Sequence, residues 1–336
     1  MKKLIIIFLS ILLLILSAQL VWRYTQNTQS INKQSLIPFD IFNQENQQTT
    51  PSPRPIEPFS ILFTGDVMLD RSIRVAIDRV GISQVFADLA PVFSSHDAVI
   101  MNLEGPITTF PTVSVGTVPG TPNNFRFTFD PSVLEYLKTF PLIVNIGNNH
   151  IRDFNLEGVQ QTKNHLEEAD IPYFGNSGFE ADPSERVLLL ENENGTIAYV
   201  NYNQFIADGY NTAMADLEFA STQSRADLVV LYSHWGSEYV EVPNSTIKNQ
   251  AIAFFDAGAD LIVGTHPHVI QPWEDVQGKR VYYSLGNTVF DQYFSAATRR
   301  GMLVSAEWDG LDLEFSEQYV LMEGSGRTIL EESDLN

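Results

Sequence analysis

The stretch Leu261-Ile262-Val263-Gly264-Thr265-His266-Pro267-His268 sets an apolar run directly before a polar cluster that holds two histidines. The run is short, β-branched and unbroken, as in a strand buried on both faces of a parallel sheet. The ends of such strands are where α/β proteins collect their site residues. Three other places repeat the plan. Ile61 to Phe63 leads into Gly65-Asp66, Leu142 to Ile146 into Asn148-Asn149-His150, and Leu228 to Tyr232 into His234-Trp235-Gly236. Ala98 to Met101 is a fifth run and delivers Asn102 and Glu104. Four of the six histidines lie in these clusters; His96, expected in a turn, and His165, expected on a helix surface, receive no role.

Helical patterns alternate with the runs. Leu156, Val159, Leu166 and Ala169 keep helical spacing, with Asn155 or Asp153 as N-cap, and Ile247, Ala251, Phe254 and Phe255 do so after Asn244 or Ser245. Strand then helix, repeated, predicts an α/β sheet core. Arg186 to Leu190 and Ile197 to Tyr202, joined through Asn194-Gly195, read as a hairpin. Further strand is expected at Val281 to Ser284, Met302 to Trp308 and Leu311 to Tyr319. These extra strands predict a second sheet packed on the first. Gly105 to Phe127 carries four prolines and two further glycines, too many for a regular element, and reads as a long loop beside the site.

The 336 residues are 44% hydrophobic, enough for a substantial core. Lys2-Lys3 precede nineteen uncharged residues, Leu4 to Trp22, long enough as a helix to cross a bilayer. Residues 1–23 therefore read as a membrane anchor or a signal sequence, with the lysines holding the N-terminus in the cytoplasm and the remainder extracytoplasmic. Residues 24–58, rich in Gln, Asn, Ser, Thr and Pro, read as a disordered stalk, and 59–330 as the globular domain. The net charge of −21 falls on that domain and argues against nucleic acid as a partner. With no cysteine, disulfides and zinc-thiolate sites are excluded, so a metal must be held by His, Asn and carboxylates.

An H-x-H step after a strand can turn His266 and His268 toward one concave site, and neutral imidazole is the commonest metal ligand. Asp66 offers a hard anionic ligand, with Gly65 allowing a sharp turn at the strand end. Glu104 offers a second carboxylate. Asn149 can lend a neutral oxygen while His150 stays free to move a proton. Asp153 either orients His150 or caps the next helix. His234 supplies the fourth imidazole.

The motifs Gly65-Asp66-Val67-Met68-Leu69-Asp70-Arg71, Asn102-Leu103-Glu104-Gly105-Pro106-Ile107-Thr108, Asn148-Asn149-His150 with Asp153, His234-Trp235-Gly236-Ser237-Glu238, Gly264-Thr265-His266-Pro267-His268 and Tyr283 to Asp291 occur in this order. In them the chain resembles the bacterial capsule-synthesis CapA, or PGA-cap, family of poly-γ-glutamate synthesis proteins. That family lies within the calcineurin-like metallophosphoesterase superfamily. The resemblance spans Phe59 to about Leu321 and implies a four-layer α/β/β/α sandwich of metallophosphatase type. It implies one or two divalent ions (Mn, Fe, Zn or Mg), with Asp66 and His268 on one, Asn149, His234 and His266 on the other, and Glu104 between them. His150 would be the proton donor. The chain departs from the superfamily pattern where Asp-x-His is replaced by Asp66-Val67-Met68, which removes one imidazole, and where Glu104 replaces a bridging aspartate; Asp70 is a candidate to compensate.

The expected function is that of a membrane-anchored, extracytoplasmic metallophosphatase-like protein. It would act in synthesis, export or attachment of an anionic capsule polymer such as poly-γ-glutamate, by metal-dependent hydrolysis. Its partners would be the polymer or a phosphoester substrate, the membrane through the N-terminal helix, and membrane-bound polymer synthase subunits. A non-catalytic polymer-binding or synthase-associated scaffold, and a metal-dependent phosphoesterase unrelated to capsule, stay open as alternatives.

Overall fold

The computed structural model describes residues 57–331. The anchor and nearly all of the stalk expected at the N-terminus lie outside these residues, and among the described residues no helix is long and apolar enough to cross a membrane. Two sheets carry the fold. In the first, β1 (Phe59–Val67), β2 (Ala98–Leu103), β3 (Leu142–Asn145) and β4 (Tyr173–Phe174) run parallel in sequence order. On the far side of β1 stand β12 (Arg300–Trp308), β13 (Leu313–Met322) and β14 (Thr328–Leu330), antiparallel, with short β11 (Asn287–Val289) pairing at the end of β1. The second sheet has the order β5-β6-β7-β8-β10-β9, made from β5 (Leu188–Asn192), β6 (Gly195–Asn203), β7 (Leu228–His234), β8 (Leu261–Thr265), β9 (Ile270–Val276) and β10 (Lys279–Leu285).

Successive side chains of a strand point to opposite faces, and the buried clusters follow that rule. Ile61 and Phe63 of β1, Ala98 and Ile100 of β2, Ile197 and Tyr199 of β6, and Leu228, Val230 and Tyr232 of β7 fill one core between the sheets. Leu62, Val99 and Met101 face the outer side of the first sheet, against α1 (Arg71–Val80), α2 (Ile82–Val85), α3 (Leu89–Phe93), α4 (Leu134–Leu137) and α5 (Asn155–Glu168). Ala198, Val200, Val229 and Leu231 face the outer side of the second, against α6 (Gly209–Glu218) and α7 (Ser245–Asp256). The layers are thus helix, sheet, sheet, helix. Both faces of the parallel strands are buried, which is why they read as unbroken apolar runs. Each large side chain taken from water contributes about 1.5–3 kcal/mol, so the three cores together are the main source of stability.

The expected second sheet exists, but its membership differs from the reading of the runs. β7 and β8 join the hairpin β5-β6 in the second sheet, whereas β12 and β13 extend the first. Asn244 caps α7 by accepting from the Ile247 amide at 3.0 Å. Neither Asp153 nor Asn155 caps α5; Phe154 holds the cap position without a side-chain bond. Residues 105–127 form the expected irregular loop, with one 3₁₀ turn at Pro122–Phe125.

Gly65 does not turn the chain, because β1 continues through it to Val67. Its role is close approach: a Cβ there would lie 1.9 Å from the Gly286 carbonyl oxygen, and that same oxygen accepts from the Asp66 amide at 2.9 Å. A register shift against β2 between Phe63 and Asp66 accompanies the approach and sets Asp66 opposite Asn102.

Candidate metal centre

Register places the site residues in rows. Asp66 pairs with Asn102 and Asn102 with Asn145 in the first sheet; Asn203 pairs with His234 and His234 with Thr265 in the second. The chain then leaves β2 into Glu104 and β8 into His266-Pro267-His268. His266 and His268 sit at φ 95° and 57°, in the left-handed region that L side chains rarely adopt. Strain of about 1–3 kcal/mol per residue persists only where the surroundings impose it. The H-x-H step is therefore held open by its neighbours: the His266 amide donates to Asp66 Oδ2 at 3.2 Å, and His268 Nδ1 lies 3.1 Å from the same oxygen.

Hydrogen bonds assign the ring nitrogens. His268 Nδ1 lies between two acceptors, Asp66 Oδ2 and Asn287 Oδ1 at 2.9 Å, so Nδ1 carries a proton and Nε2 is the nitrogen turned toward Glu104. Nε2 is 3.5 Å from Glu104 Oε1. Thr265 Oγ1 lies 3.1 Å from the Ser233 carbonyl and 2.9 Å from His234 Nδ1, which Asn102 Nδ2 also approaches at 3.4 Å. His234 Nε2 lies 2.8 Å from Asn149 Oδ1, so the ring joins the end of β7 to the segment that follows β3.

Burial governs the charge states of His234 and His266. Burial first, and then the charge of His266, hold His234 well below its ordinary value. Burial, followed by the charge of His268, brings His266 down to about 3. Both rings are therefore neutral near pH 7, as ligands must be. Burial raises the Asp66 carboxyl, but the hydrogen bond and charge of His268, with His234 and Asn102, outweigh it and leave the group below the carboxylate range. Burial and the neighbouring Asp66 charge push Glu104 well above that range.

Whether a cation fits is decided by orphaned atoms. Among the described residues Glu104 Oε1, Glu104 Oε2 and His266 Nδ1 are buried without a hydrogen-bond partner. Leaving such atoms unpaired costs about 1–3 kcal/mol each, more for a charged group. Ligand atoms of Asp66, Glu104 and His234 lie within 4.8 Å of one another, and so do those of Glu238, His266 and His268. The donors are hard oxygens and imidazoles, suited to a divalent ion. Glu104 and the four imidazoles converge, but the grouping differs from the one the resemblance implies. His234 joins Asp66 and Glu104, and Glu238 joins His266 and His268, while His268 also lies against Asp66 at 3.1 Å, the pair that the resemblance implies for one ion. Glu238 was missed as a donor; its only signal was its place four residues after His234, beyond a Gly236 at φ 90°.

His150 stands at the rim, its Nε2 3.9 Å from Glu104 Oε1. Asp153 orients it, accepting from Nδ1 at 2.9 Å while also accepting from the Phe127 amide at 2.7 Å. Asp70 does not compensate for the lost imidazole: its carboxylate accepts from Thr112 Oγ1 at 2.7 Å and the Thr128 amide at 2.9 Å, tying down the long loop. Met68 lies in the core beneath α1.

Behind the centre runs a network of buried amides that sequence reading did not anticipate. Asn102 donates to Asp66 Oδ1 at 2.7 Å and accepts from Asn145 at 2.9 Å and Asn148 at 3.2 Å. From the second sheet, Asn201 donates to the Gly147 and Tyr232 carbonyls at 3.1 and 3.0 Å and accepts from the Asn176 amide at 3.1 Å. Asn203 reaches the Asn148 and Asn176 carbonyls, each at 3.1 Å. Asn201→Leu will leave buried main-chain groups unpartnered and lower stability by about 3 kcal/mol or more. Urea unfolding checks this, and a loss below about 1 kcal/mol would show that the network does not hold the sheets together.

The fold and these residues define a two-sheet α/β protein with a buried carboxylate and imidazole cluster at converging strand ends. Residues 60–292 match the family described as "Bacterial capsule synthesis protein PGA_cap", and the chain belongs to that family. It is 31% identical over 259 residues to the PGA biosynthesis protein CapA of Bacillus subtilis (strain 168), covering 73% of this chain and 66% of that protein. It is 29% identical over 257 residues to the capsule biosynthesis protein CapA of Bacillus anthracis, covering 71% and 61%. The match thus spans less than two thirds of either relative's own length. The crystal structure of TT1561 of Thermus thermophilus aligns over 77% of this chain and 98% of that one, at 12% identity and a TM-score of 0.45, too distant to compare sites.

Proposed function

We propose that the chain is a metal-dependent, metallophosphatase-like hydrolase acting in the synthesis, export or attachment of an anionic capsule polymer such as poly-γ-glutamate. The observation that carries this reading is the buried carboxylate of Glu104, both oxygens without a hydrogen-bond partner, beside the His268 imidazole. Asp66, Glu104 and His234 would hold one ion, with Asn149 beside it, and Glu238, His266 and His268 a second. A divalent ion held there supplies Lewis acidity toward a phosphoryl or acyl oxygen. His150, oriented by Asp153, lies where it can give a proton to a departing group. The uncharged run Leu4 to Trp22 behind Lys2-Lys3 supports membrane anchoring with the domain outside, where the polymer and a membrane-bound synthase would be met.

Elemental analysis of protein purified without chelator, beside His266→Ala, tests the centre. About two divalent ions per chain are expected, reduced in the variant, together with chelator-sensitive hydrolysis of phosphoesters or γ-glutamyl amides. His150→Ala will lower turnover by about 10²–10⁴ without changing metal content; equal losses in both would remove its proton-transfer role. One observation favours a second reading, a polymer-binding scaffold without turnover: with Met68 in the core, the first motif supplies no imidazole. A fully loaded protein inert toward both substrate classes would decide for it.

A further inference from the structure

Beside the centre opens a cavity of about 610 Å³, flanked by Val75 of α1, by the Ser114–Phe125 part of the long loop, and by Tyr239 and Phe294. Its flanks are exposed apolar side chains: Val75, Phe125, Tyr239 and Phe294 each keep more than two fifths of their surface in solvent. Exposed apolar groups gathered around one opening mark a binding groove. Among the described residues that line it, Arg71 is the sole cation.

Arg71 is tied to the centre by two rings. Its guanidinium carbon lies 4.9 Å from the Phe127 ring and 5.4 Å from the Phe290 ring. Phe127 stands 4.3 Å from the His150 ring and Phe290 4.8 Å from the His268 ring. The cation is therefore one aromatic ring away from two imidazoles of the site. Its backbone is held at φ 48°, a conformation that a long L side chain rarely adopts without imposed constraint. Its donors are only partly engaged: one terminal nitrogen pairs with Asp291, the other reaches Asn124 at 3.5 Å, and Nε is buried without a partner.

We infer that this cavity is a carboxylate-recognising subsite, in which Arg71 seats a carboxylate on a short aliphatic stem of the substrate while the group to be cleaved lies over the centre. The inference deepens the hydrolase reading above and rests on it for the second half of that statement. The guanidinium fork matches the two oxygens of a carboxylate. Asp291 already offsets part of the charge, and it is fixed in place by the Ser72 amide at 3.1 Å and hydroxyl at 2.7 Å. One partly neutralised cation suits a monoanion; a phosphoryl dianion would leave charge uncompensated beside Asp291. The apolar flanks take the methylene stem.

The test titrates the full chain with butyrate, followed by ligand-observed NMR, with butyramide and inorganic phosphate as separate arms. Butyrate is expected to bind and butyramide not. Arg71→Met should weaken butyrate about tenfold or more, Arg71→Lys should restore part of that loss, and phosphate should be unaffected by either change. Asp291→Asn unmasks the guanidinium and should tighten butyrate several-fold, the direction opposite to mere damage at the start of α1. Butyrate binding that survives Arg71→Met, or that weakens in Asp291→Asn, overturns the assignment, as does an equal loss of phosphate in Arg71→Met. The series is repeated after chelation. Arg71-dependent binding that persists without metal keeps the subsite even if the hydrolase reading fails, whereas binding abolished by chelation with Arg71 intact shows that the ion is the contact and overturns it.

Discussion

Glu104→Gln will raise the melting temperature of the chelated protein and lower that of the metal-loaded one. Without an ion, both Glu104 oxygens are buried and unpartnered, and burial together with the Asp66 charge disfavours the ionised form. Glutamine keeps the shape, removes the charge, and brings an amide whose nitrogen or oxygen can meet His268 Nε2, the atom now 3.5 Å from Oε1. Relief of about 1–3 kcal/mol is expected, which for a domain of this size is about 2–10 °C. With an ion bound the sign reverses, because a carboxylate facing a cation is the strongest contact the position can make. If the substitution weakens metal binding about a hundredfold, ligand-linked stability falls by about 2.7 kcal/mol, and hydrolysis should fall on the order of 10³-fold. Melts with and without chelator read both signs, and shifts in the same direction in the two buffers would show that Glu104 does not face an ion.

Gly65→Ala is expected to be among the most damaging single-methyl changes in the domain. The new Cβ would lie 1.9 Å from the main-chain oxygen of Gly286 and 2.8 Å from its carbonyl carbon. Neither side can give: β1 is fixed between β2 and β12, and Gly286 is held by its bond from the Asp66 amide. Forcing the strands apart should cost about 3–5 kcal/mol and carry Asp66 out of reach of Asn102 and His268, so metal content should fall with stability. Gly324→Ala is the matched control, since a Cβ there meets nothing within 4 Å. Urea unfolding of the pair should separate them by at least about 3 kcal/mol; similar losses would show that the contact with Gly286 is not what limits position 65.

The features legible in the sequence were the local ones. Unbroken β-branched runs announced parallel strands because both faces of those strands are buried, and the polar residues behind them stood out because the runs end abruptly. Sheet membership was not legible. Val229 and Val99 look alike in sequence, and only the partner across the interface puts β7 in the second sheet and β2 in the first. Gly65 looked like a turn residue, but its constraint comes from Gly286, more than two hundred residues away. Asp153 looked like a cap because capping is the commonest use of an aspartate before a helix; the His150 ring offered it a better donor. Asn145, Asn201 and Asn203 carry no individual signal, since an isolated asparagine in a strand gives no hint that three main-chain segments meet at it. Glu238 escaped for the same reason, being exposed and set apart from the apolar run that flags its neighbours.

The donors are divided between the two sheets, and the bond from the His266 amide to Asp66, which joins the two ends of the set, spans 200 residues of chain. No fragment that stops short of His268 can assemble the centre, and neither can an unfolded chain of full length. A polypeptide moved across a membrane in extended form would therefore arrive without cargo and take whichever divalent ion prevails where β8 finally closes on β1. An ion held there would record the compartment in which folding was completed, fixed at that moment by availability as much as by the affinity of its ligands.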